Sequence, residues 1–205
     1  MPASLEQHSW LPLKTALDKS VEKPLLILDL DETLIHGCEK PLSFAPDFKA
    51  DIFFVYKRPY LTEFLEQTSE FYDLAVWSAA SKIYVEIIAE TIFPGGLSPK
   101  FVWSGNRCTR KYDFSYGDWY ALKDLKKVKK KGFELERTLI IEDEARKVER
   151  NYGNAIYIEP FEGDPEDREL LYLENYLLSI KEEKNFRKLE KRGWRNRQTL
   201  SNMDF

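Results

Sequence analysis

The chain has 205 residues, 43% hydrophobic and 32% charged, with a formal net charge of −4. That length fits one domain with a full core, and the acidic balance gives no global positive field to argue for nucleic acid. Cys38, Cys108, His8 and His36 form no CxxC or His/Cys cluster, which argues against a structural zinc site and for free thiols in an intracellular protein.

Residues 1–23 read as a polar leader with scattered apolar positions such as Leu5, Trp10 and Leu17. No basic segment with a following apolar run marks a signal peptide. No apolar stretch approaches the ~18 residues of a membrane span. A cytoplasmic protein is expected, or a nuclear one in a eukaryote. Leu25 to Leu28 is an unbroken apolar run, the signature of a strand buried on both faces. Residues 37–53, with Pro41 and Pro46, read as a loop or small hairpin. Ile52–Tyr56 reads as extended, and Pro59 is expected in the first turn of a helix carrying Leu61, Phe64 and Leu65. Tyr72–Trp77 is a second buried strand. A helix follows through Ile83, Tyr84, Ile87 and Ile88, and Pro94-Gly95-Gly96 stops it. Residues 100–121 carry Phe101, Trp103, Tyr112, Phe114, Tyr116, Trp119 and Tyr120, and read as an irregular or hairpin insertion. A helix is expected from Lys123 to just before Gly132. Thr138–Ile141 and Ala155–Ile158 are further buried strands, and 166–183 an amphipathic helix. The tail, 184–205, is polar and reads as either wrapped or loose.

Strands alternating with helices predict an α/β fold with a parallel sheet and right-handed crossovers. In such a sheet ligands bind beyond the carboxyl ends of the strands. Those ends carry Asp29 and Asp31, Ser78, and Glu142 with Asp143. Two carboxylates so close to an apolar core repel each other and are costly to bury, and a hard cation offsets both costs. The pattern points to a Mg2+-dependent phosphate site. Asp29 is best placed as nucleophile, with Asp31 as proton donor and acceptor. Asp29 and Asp143 supply oxygen ligands to the metal. Ser78 and Lys123 can bind phosphate. Thr33 orders the loop, and its neighbourhood can offer backbone N–H groups.

Asp29-Leu30-Asp31-Glu32-Thr33 resembles the DxDxT motif of the haloacid dehalogenase superfamily. Other stretches resemble one branch of it, the NLI-interacting-factor-like small phosphatases related to those of the RNA polymerase II C-terminal domain. They are Lys57-Arg58-Pro59-Tyr60, Trp77-Ser78-Ala79-Ala80-Ser81 with Tyr84, Arg107-Cys108, Leu122-Lys123-Asp124-Leu125, Ile141-Glu142-Asp143 and Asn154-Ala155-Ile156. The resemblance spans roughly residues 24–180. It implies a Rossmann-like core, over 24–183 with the insertion inside it, and two-step hydrolysis of phosphomonoesters through an aspartyl-phosphate, usually on phosphoserine or phosphothreonine of proteins. It implies Mg2+ on Asp29, the Asp31 carbonyl and Asp143. Glu142 departs from the family's usual Asp, which leaves it between metal and supporting duty. Ala80 replaces a hydroxyl residue.

Other readings stand beside these. A noncatalytic protein-binding module on the same fold, a phosphatase of small phosphorylated metabolites and a phosphoacceptor signalling domain all fit such an edge. His36 reads as a hydrogen-bonded loop residue before a base, and Cys108 as a buried thiol before a nucleophile. The Lys126–Lys131 run is a solvated helix face or a contact for an acidic partner. The aromatics of 101–120 are local packing or a recognition surface.

Overall fold

The computed structural model describes residues 23–197. The expected leader and residues 198–205 of the tail lie outside them, apart from Lys23. Strand β1 (Leu25–Leu28) is followed by β2 (Ile35–Cys38), β3 (Phe48–Ala50), β4 (Phe53–Lys57) and helix α1 (Leu61–Ser69). Then come β5 (Asp73–Trp77), α2 (Lys82–Ile92), β6 (Val102–Trp103), β7 (Thr109–Asp113) and β8 (Asp118–Leu122). The chain continues through α3 (Lys126–Lys130), β9 (Thr138–Glu142), a kinked 3-10 segment (Ala145–Asn154), β10 (Ala155–Tyr157) and α4 (Glu169–Ile180).

The main sheet is parallel, in the order β10-β9-β1-β5-β6. Successive side chains of a strand point to opposite faces, and β1 divides accordingly. Leu26 and Leu28 pack with α1, α2 and α4 through residues such as Phe64, Leu65, Ile88 and Leu173. Leu25 and Ile27 pack with Trp77, Phe101, Val128 and Val148 on the other face. Both faces are covered, so the strand is apolar throughout.

Three expectations needed revision. Residues 37–53 are more than a loop or lone hairpin: Gly37, Cys38, Phe48–Ala50 and Phe53 belong to an antiparallel sheet, β2-β4-β3, which begins at Ile35, with a loop over 39–47. Residues 102–103 of the aromatic stretch join the main sheet beside β5, and the hairpin proper is β7–β8. Pro59 precedes its helix, which starts at Leu61 after Tyr60 turns the chain at φ 65°. The described part of the tail wraps: Phe186 and Trp194 are buried, Trp194 Nε1 donates to the Tyr157 carbonyl at 2.9 Å, and Arg195 pairs with Glu169.

Arg58 locks the loop after β1 to the chain after β10. Its Nε and Nη2 donate to Asp167 at 2.9 and 2.8 Å, while Nη1 and Nη2 donate to the carbonyls of Thr33 at 3.0 Å and Glu159 at 2.9 Å. A planar guanidinium suits such a fork.

Candidate active site

Register builds the site. Leu28 lies opposite Val76 on one side and Ile141 on the other. One residue further along, Asp29, Trp77 and Glu142 end level, with Ser78 and Asp143 just beyond. Carboxylate oxygens of Asp29, Glu142 and Asp143 lie within 4.8 Å of one another. Asp29 is 2% exposed and Glu142 fully buried.

Lys123 enters from the side. It was expected at a helix start; instead it directly follows β8, and the helix begins at Lys126. Its ammonium, fully buried, lies 2.7 Å from Asp29 Oδ1 and 2.6 Å from Glu142 Oε2. Glu142 is thereby a positioning partner for Lys123 and also accepts from the Glu144 N–H at 3.3 Å. Burial opposes the charge on Lys123, yet Asp29 and Glu142 hold its ammonium above the ordinary value.

Lys147 was missed in the sequence. Its Nζ is 3.7 Å from Asp29 Oδ2, 3.4 Å from Glu142 Oε1, 3.6 Å from Asp143 Oδ1 and 3.2 Å from Glu144 Oε2. Burial disfavours its charge, but those carboxylates push its pKa up. Burial and then the charge of Glu142 raise the Asp29 carboxyl to about 6, with Lys123 and Lys147 pulling the other way.

Asp31 has a different shell. Tyr84 Oη donates to its Oδ1 at 2.8 Å and Ser78 Oγ to its Oδ2 at 3.3 Å. Burial and the charge of Asp29 raise its pKa. Gly37 makes room for this arrangement, because a Cβ there would fall 2.5 Å from Tyr84 Oη. Ser78 Oγ also accepts from the Ala80 N–H at 3.0 Å. Glu32, at φ 56°, faces the same edge, and burial with the charges of Asp31 and Asp143 lifts it to about 7.

Thr33 orders the turn. Its N–H donates to the Leu30 carbonyl at 3.2 Å, which removes that N–H from the set open to a phosphate, and its carbonyl accepts from Arg58. Its hydroxyl is buried without a hydrogen-bond partner. His36 lies on β2, not in a loop, and its buried Nδ1 has no hydrogen bond, though it is 3.6 Å from Glu32 Oε1. Cys108 is half-buried, and burial raises its thiol pKa. Within the basic run, Lys126, Lys129, Lys130 and Lys131 are exposed, while Lys127 donates to the Arg107 carbonyl at 2.7 Å.

The donor set suits a hard divalent cation. Asp29, Asp31, Glu142 and Asp143 face two ammonium groups, Lys123 and Lys147, which leaves two negative charges in excess. Asp143 Oδ1 is buried and accepts no hydrogen bond. Carboxylate oxygens are the ligands Mg2+ takes.

Comparison with known proteins gives the family and the fold. The model of the family "NLI interacting factor-like phosphatase" matches residues 24–187. Nuclear envelope morphology protein 1 of Saccharomyces cerevisiae is 29% identical over 195 residues, covering 82% of this chain and 42% of that protein. CTD nuclear envelope phosphatase 1 of Xenopus laevis is 32% identical over 187 residues, covering 82% of this chain and 72% of that protein. The fold is similar to that of the fission yeast RNA polymerase II CTD phosphatase Fcp1 bound to beryllium fluoride. That match has a TM-score of 0.53 at 21% identity over 89% of this chain and 56% of that one. The chain thus spans less than half the length of its yeast relative. With the matched region covering the whole parallel sheet and its carboxylate edge, the chain belongs to the NLI interacting factor-like phosphatase family.

Proposed function

We propose that the protein is a Mg2+-dependent phosphatase that hydrolyses phosphomonoesters through an aspartyl-phosphate. The observation that carries this reading is the contrast between two neighbouring carboxylates: Asp29 paired with an ammonium, Asp31 held by two hydroxyls. Carboxylates kept in different environments divide acid and nucleophile roles. Asp29 attacks phosphorus while the ester P–O bond breaks, and Asp31 gives its proton to the leaving oxygen. Asp31 then takes a proton from water as the water oxygen attacks phosphorus, releasing phosphate and regenerating the Asp29 carboxylate. Lys123 and Ser78 bind the phosphoryl oxygens, and Glu142 keeps Lys123 in place. Asp29, the Asp31 carbonyl and Asp143 would hold Mg2+, which would supply positive charge against the repulsion between carboxylate and phosphate dianion.

The substrate class we assign is a phosphorylated protein or peptide, through phosphoserine or phosphothreonine. The fission yeast neighbour, named as a phosphatase of the RNA polymerase II CTD, supports that assignment. Phosphate release from an aryl phosphate, with and without Mg2+, is the test. Asp29→Asn is expected to lower turnover at least ~10^4-fold with little change in thermal unfolding. Full turnover in that variant overturns the reading.

A further inference from the structure

Beside the carboxylate edge a groove of about 560 Å³ opens between the loop after β5 and the β7–β8 hairpin. Ala79, Ala80 and Lys82 line it from one side, and Arg110, Trp119 and Tyr120 from the hairpin. No carboxylate lines it among the described residues, although the chain as a whole is acidic. The Arg110 guanidinium lies 4.8 Å over the Trp119 ring and forms no ion pair with any described residue. Among the described residues Lys82 pairs only with Glu86, at 3.6 Å and with both side chains exposed, a contact that water largely screens.

Both sides of the groove run into the proposed catalytic machinery. Ala79 and Ala80 directly follow Ser78, and Tyr120 and Ala121 stand three and two residues before Lys123, on the strand that leads to it. At ~3.3 Å per residue along a strand, Tyr120 lies about 10 Å from Lys123. The frame is preformed. The Gly105 N–H donates to the Ala80 carbonyl at 2.8 Å, and a Cβ at Gly105 would fall 2.3 Å from the Ala79 oxygen. Lys127 ties the hairpin base through Thr109 Oγ1 at 3.2 Å, and Arg146 ties Asp118 at 2.8 Å. Arginine and tryptophan are the residue types enriched among the anchors of recognition surfaces.

We propose that this groove reads an acidic side chain two or three residues from the phosphorylated residue of an extended phosphopeptide, with Arg110 on its Trp119 platform as the recognising cation. The inference rests on the phosphopeptide reading above and narrows it to acidic sequences. An aryl phosphate does not reach this groove, and its turnover is independent of it.

Three phosphoserine peptides differing only at the flanking positions (Glu, Gln or Lys) test the proposal, with an aryl phosphate assayed in parallel. The Glu peptide is expected to show a KM about fivefold below that of the Gln peptide, with the Lys peptide weakest. Arg110→Glu should invert that order and leave aryl phosphate turnover unchanged; Arg110→Lys should keep the order. The same three peptides titrated onto Asp29→Asn protein give dissociation constants that do not depend on turnover. Equal KM and equal affinity across the three peptides, or an order insensitive to Arg110→Glu, overturns the groove assignment while the phosphatase reading stands. Aryl phosphate turnover with no peptide hydrolysed or bound overturns the peptide reading, and this inference with it. Loss of all turnover with the Glu peptide still bound most tightly rejects the chemistry and upholds the groove.

Discussion

Two buried cations lie near the end of β1, and their surroundings are opposite in kind. Arg58 meets one carboxylate, Asp167, and two main-chain carbonyls through four hydrogen bonds, and its charge is matched. Lys123 is shared by Asp29 and Glu142, with Lys147, Asp143 and Asp31 crowded around them, and negative charge is left over. A matched pair is scaffolding whose removal unfolds something. An unmatched one stores electrostatic tension that a further cation relieves. The difference separates holding from acting within a few residues of one strand.

Breaking the matched side should have the largest effect on stability. Arg58→Met leaves the half-buried Asp167 and the carbonyls of Thr33 and Glu159 without their buried donor, and is expected to cost about 3–5 kcal/mol in urea unfolding. A loss below about 1 kcal/mol would erase the contrast. On the unmatched side, Lys147→Met removes one of two compensating charges. Mg2+ should then bind about tenfold more tightly by calorimetry, and unaltered affinity would mean that the edge carries no surplus. The finest test is acid. Burial opposes ionisation of Asp167, but the hydrogen bonds and charge of Arg58 outweigh it and lower its pKa below the ordinary 3.8. Its stabilising effect is therefore complete above that ordinary value and fades as pH falls through the lowered folded value. Asp167→Asn should destabilise by about 1–2 kcal/mol at pH 7, and by progressively less below pH ~4. A gap in melting temperature that persists undiminished into strong acid would show that Asp167 acts by packing instead of charge.

Much of the centre was legible from sequence, for a physical reason. Leu25–Leu28 and, within β9, Leu139–Ile141 are buried on both faces, so they are apolar without interruption, and whatever follows them must stand at the sheet edge. Asp29, Ser78 and Asp143 were found that way. The outer parts left weaker traces. Ile35-His36-Gly37-Cys38 pairs on the small sheet with only its first residue buried, so no clean alternation marks it. Val102–Trp103 is two residues inside an aromatic-rich stretch. Lys123 was identified for the wrong reason, since a strand delivers it instead of a helix. Lys147 stands among Arg146, Glu149 and Arg150 in a segment kinked at Val148 and Asn151. No periodicity there tells which charge turns inward.

Trp194 has a wider consequence. β10 is the outermost strand on its side of the sheet, and the indole of Trp194 occupies its outward Tyr157 carbonyl. Bare strand edges recruit other strands, and proteins guard against this by plugging or charging them. The stretch around Phe186 and Trp194 is such a plug, stitched down by Arg195 on Glu169. Shortening the chain to the end of α4 uncovers that flank, and the shortened protein is then prone to edge-to-edge polymerisation even with Asp29 and Asp31 untouched.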